Sequence, residues 1–111
     1  MRTESLGEFE ELVLMSVAGL ADDAYTVSIQ QFLEKNAGRA ATIGTVYRAL
    51  DRLDRKGFVR YAMSEVTPER GGKRKKLYRI TASGKTILKH ARNVRSRMWD
   101  EIERQPAWNV Q

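Results

Sequence analysis

The chain is 111 residues long, about one domain, with room for a single modest core. Its 41% apolar and 31% charged residues suit a folded domain rather than a disordered one, and no apolar run nears the roughly 20 residues of a membrane helix. Zero cysteines and a single histidine, His90, exclude disulfides, a thiol nucleophile and a two-histidine metal cage, while a formal charge of +6 points to a polyanionic partner.

The charge is unevenly spread. The first 24 residues hold six acids against one base, Arg2, so the excess of base lies further along. The opening "MRTESLGEFEEL" lacks the basic start and apolar run of a secretory signal, and the expected location is cytoplasmic. No repeat, low-complexity tract or linker interrupts the chain.

In "LGEFEELVLMSVAGLADD", Phe9, Leu12, Val13, Ser16, Val17 and Leu20 recur at helical spacing. The helix should end between Gly19 and Asp22. Leu14 and Met15 fall off the stripe, which suggests a second packing partner such as another subunit. "AYTVSIQQFLEKNAG" predicts a shorter helix with Tyr25, Ile29, Phe32, Leu33 and Asn36 on one face and Gly38 as its stop. In "TIGTVYRALDRLDRKGF", Thr42 is the N-cap candidate, Ile43, Val46, Leu50 and Leu53 form the buried stripe, and Gly57 ends the helix. Its other face presents Thr45, Arg48, Arg52 and Arg55, with Tyr47 at the border and Asp51 spaced to pair with Arg48 or Arg55.

The period then changes. "FVRYAMSEV" sets Val59, Tyr61 and Met63 on one side, and "KLYRI" places Tyr78 and Ile80 together. Between them, Pro68, Gly71 and Gly72 turn the chain within a run of bases that includes Arg70, Lys73, Arg74 and Lys75. Two antiparallel strands with a long basic tip are expected. The last helix opens at Thr81 and runs to Arg104, before Pro106, with Ile87, Ala91, Val94, Met98 and Ile102 as its stripe and Leu88 and Trp99 beside it. About 23 residues make about 35 Å of helix, more than a small core covers, so part of this stripe should meet a partner chain. Trp108 falls in a tail expected to fray, and His90 reads as a solvated helical residue.

This order predicts a mainly α fold with a small β-hairpin: a winged helix-turn-helix over residues 1–80, a dimerisation helix over 81–105 and a tail over 106–111. The third helix would enter a major groove, whose width admits one α-helix. The basic hairpin would be the wing, with Lys73, Arg74 and Lys75 on flanking phosphates. No phosphate-binding glycine loop and no nucleophile–base spacing suggests an enzyme, and no cofactor is expected. Two other readings fit the same residues: a nonspecific or RNA-binding winged helix, and a protein-interaction module whose long helix pairs with a different chain.

The blocks "GTVYRALDRLDRKGFV" and "GGKRKKLYRITASG", in that order, resemble the PadR-like transcriptional regulators of bacteria. The resemblance covers about residues 6–90, and the single last helix is similar to the short subfamily. It implies a homodimer joined through the last helix with help from the first. It also implies repression from a palindromic operator in double-stranded DNA, relieved by a small hydrophobic or aromatic effector. It places Tyr25 and Tyr47 at the DNA backbone, although Asp23-Ala24 stands where the family usually has His-Gly before the first of these tyrosines. The expected DNA face is therefore Tyr25, Thr42, Thr45, Tyr47, Arg48, Arg52, Lys73, Arg74 and Lys75. Met15, Ala91, Val94, Met98, Trp99 and Ile102 form the expected dimer or effector face.

Overall fold

In chain order the computed structural model, which describes residues 5–65 and 74–110, has α1 (Glu8–Leu20), a 3-10 turn (Ala21–Asp23), α2 (Thr26–Ala37), α3 (Ile43–Arg55), β1 (Val59–Met63), β2 (Lys76–Ile80) and α4 (Ala82–Glu103). A second 3-10 turn (Pro106–Asn109) follows. The strands pair antiparallel in the register Val59↔Ile80, Tyr61↔Tyr78, Met63↔Lys76. Residues Arg70, Gly71, Gly72 and Lys73 of the expected wing tip lie outside the described residues.

The core is where α1, α2 and α3 meet the base of the hairpin. Val13, Leu14, Val17, Ile29, Leu33, Val46, Leu50, Leu53 and Val59 are all buried there, each contributing about 1.5–3 kcal/mol of transfer free energy. Leu14, off the expected stripe of α1, belongs to this core because α1 packs against α2 and α3 and also against β2 and α4. Met15, beside it, remains 50% exposed. Ile43 was expected in the buried stripe but is 42% exposed, because the first turn of α3 extends past its neighbours. Ala49 takes a place in the core instead.

Local chemistry ends the helices where they end. Thr42 Oγ1 accepts from Thr45 N–H at 3.1 Å and caps α3, and Thr81 Oγ1 accepts from Gly84 N–H at 3.0 Å and caps α4. Gly38 closes α2 at φ 60°, a left-handed conformation that costs glycine little. Buried polar groups find partners: Ser16 Oγ donates to Leu12 O at 2.9 Å, and Tyr78, deep in the hairpin, donates its N–H to Ala24 O at 2.7 Å. Burial pushes the Tyr78 phenol up to about 12.

The first turn of α1 carries three acids, and each reaches a different element. Glu8 pairs with Arg39 after α2 at 3.0 Å, and Glu11 with Arg95 of α4 at 2.5 Å. Glu10, 7% exposed, accepts from Arg52 Nε at 3.0 Å and Lys56 Nζ at 2.8 Å, both from the end of α3. It also accepts from Gly7 N–H at 2.8 Å. Burial by itself would raise the Glu10 carboxyl, but the donors from Lys56, Gly7 and Arg52 outweigh it and hold the pKa below its ordinary 4.5.

α4 leaves the core after its first turns. Ile87 and Leu88 pack against the core, whereas every residue from Arg92 to Glu101 is exposed. The molecule is accordingly long, 60 × 38 × 21 Å. The tail does not fray as expected: Trp108 meets Trp99 edge-on with ring centroids 5.9 Å apart, and Asn109 Nδ2 donates to Glu103 O at 3.0 Å. Pro106 stops the α-helix but is compatible with the start of a 3-10 turn. Among the described residues no helix is long and apolar enough to cross a membrane.

Gly84 lets α4 approach the hairpin base. A Cβ there would sit 2.3 Å from Phe58 O and 2.8 Å from Ile80 Cγ1. Gly84→Ala should therefore destabilise by about 1–3 kcal/mol, read as a lower Tm; an unchanged Tm would contradict the close approach. Because the Glu10 carboxyl is depressed, its stabilisation is fully present above about pH 4.5 and is lost as pH falls through the lower folded-state value. Glu10→Gln should lower Tm at neutral pH and flatten the loss of Tm below about pH 5. Parallel curves for wild type and variant would refute this role.

Candidate nucleic-acid interface

The exposed face of α3 is organised from its cap. Thr42 Oγ1 lies 2.8 Å from Thr45 Oγ1, and Arg48 Nη2 donates to Thr45 Oγ1 at 3.3 Å. Three of the expected residues thus form one hydrogen-bonded row along the first turns. Arg48 is exposed, and no carboxylate among the described residues pairs with it. Asp51 turns instead to Arg55, at 2.7 Å, which is one of the two pairings the spacing allowed.

Arg52 lies on the expected face but is engaged by an acid. The helical period puts it on the polar face, but its guanidinium turns back to Glu10 of α1. Its charge is committed to a buried carboxylate 42 residues away in sequence. It does not stand beside Arg48 as a second unpaired cation.

The hairpin meets α3 through a residue outside the expected set. Lys76 Nζ donates to Tyr47 Oη at 3.0 Å and lies 4.4 Å from the Tyr61 ring centroid and 5.0 Å from that of Tyr47. The contact with Tyr47 raises the Lys76 pKa, so the ammonium keeps its charge. Tyr61 and Tyr78 support the site from the strands, with centroids 5.7 Å apart. The exposed aromatic Tyr61, directly across the ladder from Tyr78, was the available signal. Strand alternation puts Lys76 on that same face.

Lys75 is held as well. Beyond the last strand pair, Ser64 N–H donates to Lys75 O at 2.8 Å and Lys75 N–H to Ser64 Oγ at 2.9 Å, which adds one rung to the hairpin. The Lys75 ammonium then sits 3.2 Å from the centroid of the Tyr25 ring. Tyr25 is the N-cap residue of α2, so the start of α2, the hairpin and α3 converge here. Arg74 follows the same edge and is exposed. Lys73 lies outside the described residues. No carboxylate among those described pairs with Arg74, Lys75 or Lys76.

The expected dimer or effector residues divide into two groups. Ala91 and Val94 line a cavity of about 520 Å³ between α1 and α4 together with Leu6, Ile87 and His90. Met15 lines a neighbouring one of about 340 Å³ with Leu88, Lys89 and Arg92. Met98 and Trp99 lie farther out on α4, 60% and 51% exposed, with Ile102 half-buried beyond them. No group of acids and histidines among the described residues could hold a metal ion.

Comparison with known proteins gives the fold and the family. The PadR-like transcription factor from Bacteroides fragilis is 24% identical, with 86% of each chain covered and a TM-score of 0.72. A PadR family transcription regulator from Clostridium difficile is also 24% identical, covering 87% of this chain and 92% of that one, with a TM-score of 0.64. Bacillus subtilis PadR, solved in complex with operator DNA, is 22% identical over 74% of this chain and 46% of the longer one, with a TM-score of 0.59. At these identities the likeness speaks for the winged-helix fold. Curated proteins give no match. The transcriptional regulator PadR-like family itself matches residues 13–90, most of the chain and both of the blocks that build α3 and the hairpin. The chain therefore belongs to the PadR-like family of transcriptional regulators.

Proposed function

We propose that the protein is a sequence-specific DNA-binding repressor that works as a homodimer on a palindromic operator and is released by a small apolar or aromatic ligand. The observation that carries the DNA reading is the Lys76–Tyr47 contact. It sets the cationic edge of the hairpin against the helix whose exposed face bears Arg48. In this arrangement Arg48, held by Thr45, is the candidate for base edges, since an arginine fork matches guanine in the major groove. Tyr25, Tyr47, Arg74, Lys75 and Lys76 are candidates for phosphate and sugar, which position the protein without reading sequence. Thr42 caps the first turn of α3 through Thr45 N–H and leaves the Ile43 and Gly44 N–H groups as candidates for a phosphate. The operator-bound Bacillus subtilis neighbour supports the same use of the fold.

The dimer reading rests on α4. Val94, Met98 and Trp99 are exposed on a helix that leaves the core behind, and a second copy would cover them. Two paired heads would meet successive major grooves about 34 Å apart. The cavities between α1 and α4 are the candidate ligand site, since their walls join Met15, Leu88, Ala91 and Val94 to a rim of arginines.

Titration against promoter DNA upstream of the protein's own operon, with random duplex as competitor, should give clear preference for the promoter. Equal affinity for both would refute the regulator reading and favour a nonspecific binder. Arg48→Ala should weaken operator binding by about tenfold and relax the preference, whereas Arg52→Ala should change the preference little. Lys75→Ala should weaken binding to all sequences and reduce the slope of log K against log salt by about 0.9.

A further inference from the structure

Adjacent carboxylates on one helical turn hold two different helices, α3 and α4. Glu10 accepts from Arg52 and Lys56 at the end of α3. Both carboxylate oxygens of Glu11 accept from Arg95 Nη1 on α4, at 2.6 and 2.5 Å. The two acids are fixed relative to one another by the helix and by Gly7 N–H on Glu10 Oε1.

The surroundings of the second pair make it a mechanical post. Both cavities along the α1/α4 seam are walled by Glu11 and Arg95, one on either side. Ile87 and Leu88 anchor the start of α4 to the core, and beyond them the Glu11–Arg95 pair is the ion pair that ties α4 to α1 among the described residues. A shift of α4 at the level of Arg95 must either break this pair or draw the first turn of α1 with it.

The first pair converts such a shift into a change at α3. Glu10 is buried with both oxygens engaged by α3 donors, so it cannot move and keep all three contacts. A small rotation of the turn must reorient Arg52 and Lys56, or release Arg52 toward the face that carries Arg48. Packed contacts of this kind tend to switch between discrete arrangements rather than deform smoothly.

We infer that Glu10 and Glu11 are positioning residues that make the first turn of α1 the coupling element between the long helix α4 and the third helix α3. The inference deepens the DNA-binding reading and rests on it for its effect on affinity. It requires only that movement of α4 is felt at α3 through this turn.

Arg95→Gln removes the α4 leg at an exposed position and should leave the fold intact by far-UV circular dichroism. Backbone amide shifts in the ¹⁵N-labelled variant should change at Arg48 to Lys56 as well as around Glu11. Operator affinity should fall by about 3- to 30-fold. The charge-exchanged pair Glu11→Arg with Arg95→Glu should restore both readouts. With Glu10→Gln in place the α3 leg is already weakened, so adding Arg95→Gln should cost little more. Unchanged α3 amides in Arg95→Gln, or effects of Glu10→Gln and Arg95→Gln that simply add, would overturn the inference. A wild-type protein with no promoter preference would defeat the regulator reading alone, because the amide shifts test the coupling without DNA.

Discussion

A lysine ammonium held 3.0 Å from a tyrosine hydroxyl decides what the rest of the fold can do. Without the Lys76–Tyr47 contact, the hairpin would still be tied to the start of α2 and the turn before it through Tyr78, Lys75 and Arg79, but it would lose its side-chain bond to the exposed face of α3. An isolated hairpin has little stability of its own. With it, the hairpin edge carrying Arg74 and Lys75 is set at a defined place beside α3. The tyrosines at both ends of this edge, Tyr25 and Tyr47, each lie within 5.0 Å of an ammonium, ring centroid to nitrogen. Neutral aromatic faces therefore hold the cations in place without neutralising them. A carboxylate in the same position would fix the lysines equally well but would oppose a polyanion.

Carboxylates hold other bases, through the first turn of α1. Glu8, Glu10 and Glu11 favour the N-terminal end of α1 electrostatically, and they also bind Arg39, Arg52, Lys56 and Arg95. Two groups among the chain's bases therefore differ in their partners. One is committed to structure through the first turn of α1. The other, Arg48 with Arg74, Lys75 and Lys76, has no acidic partner among the described residues. The net charge of +6 says nothing of this division.

Much of the architecture was legible because local signals agreed with the global fold. Thr42 and Thr81 cap the helices they were expected to cap, Gly38 stops α2, and the two strands pair antiparallel. What failed was long-range. Helical period sets Arg52 on the polar face, where it lies, but cannot see its ion pair with Glu10 in another helix. Ile43 was counted as buried from spacing, though the turn it occupies projects beyond the core. Leu14, off the main stripe, does meet a second packing partner, but that partner lies within the same chain. The Lys76–Tyr47 contact depends on how the strand packs on α3, which the run of bases at the loop tip does not encode. Trp108 was assigned to a frayed tail because Pro106 ends an α-helix, yet a 3-10 turn brings the indole back to Trp99.

The most direct test is a map of where duplex DNA touches the protein. In the ¹⁵N-labelled chain titrated with promoter duplex, amide and side-chain shifts should cluster at Tyr25, Thr42 to Arg48 and Arg74 to Lys76, with the Lys76 ammonium signal moving in step with Tyr47. Perturbations confined to α4, or to the opposite hairpin face at Arg60 and Arg79 with Arg48 and Lys76 unmoved, would contradict the interface.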